Sequence, residues 1–215
     1  MSSSEPKGLL LAMMEPPAGL EEEFADWYDN EHVPERAAIP GFLTALRWVC
    51  VSGWPRYVAI YDLERLGVLD EPGYQAVSGE RFSPWSKRVL SKVRGQYRAA
   101  AVQIFPGDAV TGTFASLTLL RWRGIEQQRE NDLVVAVREA AAAHETALGG
   151  GVVNSVRVYR FPNQGVLDHL AMIEWSVGPD AAGGFRPPPA FSRELDLVNV
   201  YVPYWVRGRL PGVYH

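Results

Sequence analysis

Phe24, Trp27, Tyr28, His32 and Pro34 crowd into the segment 21–42, EEEFADWYDNEHVPERAAIPGF, which closes on Pro40-Gly41. An imidazole in such a setting suits proton transfer, because its ordinary pKa near 6.5 lets either protonation state act near neutral pH. The helical period over 18–32 places Leu20, Phe24, Trp27 and Glu31 on one face. Tyr28 and His32 lie on the flank of that face, one turn apart, so their side chains can meet. Asp26, Asp29 and Asn30 point the other way, towards solvent. Pro34 is expected to end the helix near His32, since the residue before a proline disfavours the helical region, and to open a short turn at Pro34-Glu35-Arg36. Two readings of His32 follow. It is a general acid or base, with Tyr28 donating a hydrogen bond to a carbonyl or enolate oxygen, or it is a C-cap whose cation faces the negative end of the helix dipole.

A second tier of residues surrounds this pair. Glu31 can orient His32, act as a carboxylate base, or pair with Arg36 or Arg47, and pairing is the expectation. Arg47 alternates with Ala45 and Val49, so it either anchors an anionic or carbonyl substrate or neutralises an internal acid. Tyr57 and Tyr61 share one face of a strand, and Ser83-Pro84-Trp85-Ser86 lies in a loop-rich crossover that can wall a pocket. Trp27, Glu31, Tyr57, Tyr61 and Trp85 are therefore candidate substrate contacts, each equally readable as packing. His144 and His169 have no partner at metal-ligand spacing, and HxH, HExxH and Cys/His sets are absent, so no metal site is expected. GxSxG, P-loop and GxGxxG patterns are also missing. Gly149-Gly150-Gly151 follows a helix and precedes a strand, which makes it a C-cap and turn.

The positioning elements follow from breakers and alternation. Strands are predicted at 8–15, 42–52, 56–63 and 96–105, with the helix 18–32 after the first and a short helix at 84–92. The order then recurs: a strand at 114–122, a helix at 126–147, strands at 152–161 and 167–177, a short helix at 191–196 and a strand at 197–207. Leu46-Arg47-Trp48 aligns with Val156-Arg157-Val158, and 57–62 aligns with 169–174. This predicts a repeat, with units at 1–107 and 108–215, each a β-α-β-β-α-β ferredoxin-like motif. Strand residues are apolar on both faces (Leu9, Leu11 and Met13 against Leu10, Ala12 and Met14), so both faces of each sheet must be covered. The predicted fold class is α+β, two tandem ferredoxin-like units whose antiparallel sheets pack into one α+β barrel.

Composition narrows the function classes. Of 215 residues, 47% are hydrophobic and 11% aromatic, enough for a packed core, and the seven tryptophans are either core filler or the wall of a cavity. The net charge of −4 with no basic run argues against nucleic acid as partner. The single cysteine, Cys50, sits in an apolar run and reads as a buried inert thiol. The apolar N-terminal stretch is too short for a membrane span and lacks a small-residue cleavage site, so a soluble cytoplasmic protein without a membrane partner is expected.

The pattern Phe24-x-x-Trp27-Tyr28-x-x-x-His32-x-Pro34, followed by Pro40-Gly41-Phe42 and a strand carrying Arg47, resembles the EthD-like branch of the dimeric α+β barrel superfamily. The resemblance implies paired units, from two chains or within one, and therefore a monomer or a homodimer here. It also implies chemistry without a cofactor (isomerisation, cyclisation, dehydration, decarboxylation or monooxygenation), with haem enzymes as more distant relatives. Where His32 should recur, the second half reads Ala140-Ala141-Ala142-Ala143-His144, so one site per chain is expected, in the first half. The expected function is a cofactor-independent lyase or isomerase acting on a small apolar carbonyl or aromatic compound. His32 would move the proton, and Tyr28 or Arg47 would stabilise the developing oxyanion. A cofactor-free monooxygenase, a haem enzyme and a non-catalytic small-molecule binder are the alternatives.

Overall fold

The structure is a computed structural model that describes residues 5–112, 114–163 and 166–204. Its fold is α+β, a closed barrel of eight antiparallel strands in the order β1-β3-β2-β8-β5-β7-β6-β4. These are β1 (Gly8–Glu15), β2 (Leu46–Ser52), β3 (Tyr57–Leu63), β4 (Arg94–Phe105), β5 (Ser116–Arg123), β6 (Val153–Asn163), β7 (Val166–Trp175) and β8 (Leu195–Pro203). The chain divides into two compact units. One comprises 1–49, 55–100 and 204–215, and the other 50–54 and 101–203. Among the described residues no helix is long and apolar enough to cross a membrane.

In the first unit β1 is apolar on both faces and almost wholly buried. It pairs with β3 in a register that sets Leu10 opposite Tyr61, Ala12 opposite Ala59 and Met14 opposite Tyr57, while Arg47 of β2 lies opposite Ala59. One helical run covers this sheet: α1 (Glu21–Trp27), a π-helical turn over Tyr28–His32, and α2 (Val33–Ala37). Three glutamates in the first turn complement the positive end of the helix dipole. Pro72 opens α3 (Pro72–Gln75). Pro84 opens α4 (Pro84–Leu90), where Ser83 Oγ accepts the Ser86 N–H at 2.9 Å as an N-cap. The core between helices and sheet is built from Leu10, Met14, Phe24, Trp27, Tyr28 and Ala59, among others.

The helix therefore does not stop at His32, and His32 is not a C-cap, because Val33 and Pro34 continue in helical geometry. Pro34 has no N–H to donate and its ring crowds the carbonyl four residues back. The chain accommodates it by widening the preceding turn, so that the Val33 N–H donates to Tyr28 O, five residues earlier. The widening has a second effect. Phe24, Tyr28, His32 and Arg36 recur every four residues, and in a plain α-helix each such step overshoots a full turn by about 40°. A turn holding more residues removes part of that drift, and all four side chains are buried on the inward face.

In the second unit β5 pairs with β7 and β8, and β7 with β6. Helix α5 (Glu130–Ala147) buries Leu133, Val134, Val137 and Ala141 against this sheet. Gly149, Gly150 and Gly151 all take positive φ, the conformation that ends a helix at low steric cost. The short helix expected at 191–196 is instead a single 3₁₀ turn over Pro189–Phe191, preceded by α6 (Pro179–Gly183), because strand pairing claims the chain from Leu195. Of the last expected strand, 205–207 lie outside the described residues. The expected start of β2 at 42 is also revised: 42 makes an isolated bridge to Leu63, and the strand begins at Leu46. Cys50 is half-buried, not buried, with Sγ 3.1 Å from Ser52 O.

Candidate functional site

His32 sits in an aromatic cage made by its own helix and the sheet beneath. The Trp27 ring lies 4.5 Å away at 34°, Tyr28 meets it edge-on at 5.4 Å, and Tyr61 and Phe82 lie at 6.5 and 6.4 Å. Among the described residues neither ring nitrogen is hydrogen bonded, and Nδ1 is buried. Burial first, then the nearby Arg36 and Arg47 cations, hold its pKa well below the ordinary 6.5, so the ring is neutral at neutral pH.

One side of the cage opens into a cavity of about 250 Å³ lying wholly within the first unit. Its apolar floor is Leu10, Ala12, Met14 and Leu90, and Phe82 and Tyr97 form aromatic walls. His32, Arg36 and Tyr61 supply the buried polar groups, while the exposed Gln96 and Arg98 stand where the cavity meets solvent. The Tyr61 hydroxyl has no hydrogen-bond partner among the described residues. Burial raises its pKa far above 10, so the phenol stays a donor. Arg36 is 2% exposed. It donates to Val77 O at 2.7 Å, lies over the Tyr74 ring at 5.1 Å, and has Glu35 3.7 Å from Nη1.

The remaining candidates hold this arrangement in place and do not line the cavity. Trp27 Nε1 donates to Ser86 Oγ at 3.0 Å, and Ser86 Oγ and Ser83 Oγ donate to Glu31 Oε1 at 3.0 and 2.5 Å. Glu31 thus clamps the π-helical turn to the start of α4, in place of the expected pairing with Arg36 or Arg47. Glu31 lies against the N-terminus of α4, where Ser83 is the N-cap, and the two serine hydroxyls satisfy its carboxylate there. Arg47 is buried beneath the other end of the turn, ion-paired with Asp29 and stacked on Tyr28 at 4.4 Å and Tyr204 at 4.0 Å. Asp29, expected in solvent, is therefore Arg47's counter-charge. Tyr28 donates to Met14 Sδ at 3.7 Å, and burial pushes its phenol up to about 12. Tyr57 packs on Phe24 at 5.1 Å with Arg56 above it. Trp85 is half-buried beside the serine clamp. Of the residues singled out from sequence, the cavity thus gathers His32 and Tyr61, and it adds Arg36. The signal for Arg36 was its spacing of four from His32, hidden once Pro34 was read as a helix end.

The described residues contain no cluster of three His, Cys, Asp or Glu suited to a metal ion. Haem fits this cavity poorly. Its volume falls just below the roughly 300–1,000 Å³ of pockets that enclose drug-sized ligands, and a porphyrin with its two propionates is larger than such ligands. The other described histidines commit Nε2 elsewhere, His144 to Ala181 O and His169 to Glu130, both at 2.8 Å.

No family model and no curated protein matches the chain. Solved structures do share its fold. An anthrone oxidase-like protein is 10% identical over 95% of this chain and 93% of that one, with a TM-score of 0.59. A haem-binding protein from Thermus thermophilus is 11% identical over 93% and 91%, at 0.54. A mutant chlorite dismutase from Candidatus Nitrospira defluvii is 9% identical over 94% and 93%, at 0.58. At these identities the likeness establishes the fold alone, a closed α+β barrel.

Proposed function

We propose that this chain is a cofactor-independent enzyme that removes a proton from a small aromatic or carbonyl compound. His32 is the base, and Arg36 and Tyr61 hold the oxygen on which negative charge collects. The observation that carries this reading is the meeting, in one cavity, of an imidazole and a phenol hydroxyl that have no hydrogen-bond partner among the described residues, and a buried guanidinium. A neutral His32 is ready to accept a proton. As it does so, the imidazolium faces a new oxyanion held by Arg36 and Tyr61, an attraction absent from the ground state, and such differential stabilisation lowers a barrier. The apolar floor keeps water from quenching the carbanion or enolate.

Reprotonation elsewhere gives isomerisation, and loss of a neighbouring group gives dehydration or decarboxylation. This lyase or isomerase outcome is our first reading, and the motif over 24–34 supports a place in the EthD-like branch. Cofactor-free oxygenation of the same carbanion is the second, suggested by the likeness to an anthrone oxidase-like protein. Both begin with the same proton transfer, so the test addresses that step. Phenols and 1,3-dicarbonyl compounds are incubated with the protein in deuterated water, and carbon-bound exchange is followed by NMR. The wild type is expected to accelerate exchange and His32→Gln to lose at least about 100-fold, the lower end for general-base catalysis, while still binding. Equal exchange by the two proteins overturns the assignment.

A further inference from the structure

The charges around the cavity are one-sided. Arg36 and Arg98 line it, and no acidic side chain does. Arg36 has a counter-charge in Glu35, 3.7 Å from Nη1. Arg98 has no ion-pair partner among the described residues, although the chain as a whole carries a net charge of −4. Tyr74 ties the two guanidiniums to one wall: Arg36 lies over its ring at 5.1 Å, and Arg98 Nη2 donates to its hydroxyl at 3.2 Å. The cavity thus has a polar gradient. The cation with a counter-charge, Arg36, is buried, Arg98 is exposed, and Leu10, Met14 and Leu90 line the same cavity.

From this we infer that the ligand is a small aromatic monoanion, a carboxylate-bearing single ring, bound with its carboxylate at Arg98 and Tyr74 and its reactive end at His32 and Arg36. The inference rests on the proton-transfer reading for what happens at the inner end. The anion preference at the rim stands independently of it. Size agrees, since a cavity of about 250 Å³ falls below the roughly 300–1,000 Å³ of pockets that enclose drug-sized ligands and suits one substituted ring. Charge agrees as well: a single carboxylate neutralises Arg98, the cavity-lining cation without an ion-pair partner among the described residues, and its two oxygens match the forked donors of a guanidinium. The Phe82 and Tyr97 rings supply the aromatic walls.

The experiment compares isosteric pairs, benzoate with benzamide and phenylacetate with phenylacetamide, by calorimetry on the full chain near neutral pH. The acid of each pair is expected to bind at least about tenfold more tightly than its amide, equivalent to about 1.4 kcal/mol. Arg98→Gln, a change at an exposed side chain that leaves the core intact, is expected to bring the acid–amide ratio close to one, and Arg98→Lys to restore part of it. Added salt weakens the acids and not the amides. Amides binding as well as acids, an acid preference that survives Arg98→Gln, or neither member of any pair binding would each overturn the inference. Failure of the proton-transfer reading looks different, because acids would then bind selectively without any carbon-bound deuterium exchange.

Discussion

Lowering the pH below 6.5 should destabilise this protein through two of its buried histidines. His32 is 9% exposed and His169 is 0% exposed. Burial holds the pKa of each below 6.5, reinforced at His32 by Arg36 and Arg47 and opposed at His169 by the hydrogen bond to Glu130. Below pH 6.5 the unfolded chain takes up two protons that the folded chain refuses, so stability is full above 6.5 and falls as pH drops towards the folded-state values. Each histidine contributes a slope of up to about 1.4 kcal/mol per pH unit, or about 2.7 for both together. Glu35 acts in the opposite sense, because burial raises its pKa above 4.5 and the folded state binds its proton first. Glu35→Gln serves as the control that removes this offset. The assay is urea unfolding at fixed temperature between about pH 7.5 and about pH 5. Replacing His32 with Gln should remove one proton's share of the slope. An unchanged slope in that variant would mean that His32 charges freely in the folded state, which refutes the buried, cation-flanked cage.

Two further substitutions test the scaffold around the cage. Ser86→Ala leaves the buried Trp27 indole N–H without an acceptor and strips Glu31 of one of its donors, so a loss of about 1–3 kcal/mol is expected in urea unfolding, together with a changed Trp27 near-ultraviolet signal. In the second unit Arg157 and Glu174 form a fully buried pair, and Arg157 also donates to Tyr159 Oη at 3.0 Å and Thr111 Oγ1 at 2.9 Å. Glu174→Ala strands that cation in the interior, and a loss of about 3–5 kcal/mol is expected.

What the sequence made legible tracks how local each signal is. The β1 strand is an unbroken apolar run stopped by Pro16-Pro17, α5 is an Ala- and Glu-rich run stopped by Gly149, and both lie within a few residues of their predicted spans. The apolar character of both strand faces was enough to predict a barrel. The stretch around His32 misled because a proline usually closes a helix, and no simple periodicity announces a π-helical turn. That single misplacement hid Arg36, turned Glu31 towards the wrong partners and left Asp29 in solvent. The serine clamp rests on Glu31 meeting residues more than 50 positions away, Ser83 and Ser86, a long-range contact that spacing cannot reveal.

The central claim is that His32 is a neutral base facing the cavity, and histidine-selective ¹⁵N NMR tests it most directly. A ¹⁵N-histidine-labelled sample, assigned with His32→Gln, is titrated downward from about pH 8, first alone and then with benzoate. The account predicts that His32 stays neutral well below 6.5, and that its ring nitrogens shift when the aromatic acid binds. A His32 that titrates at or above 6.5, with nitrogen shifts indifferent to the ligand, would contradict it.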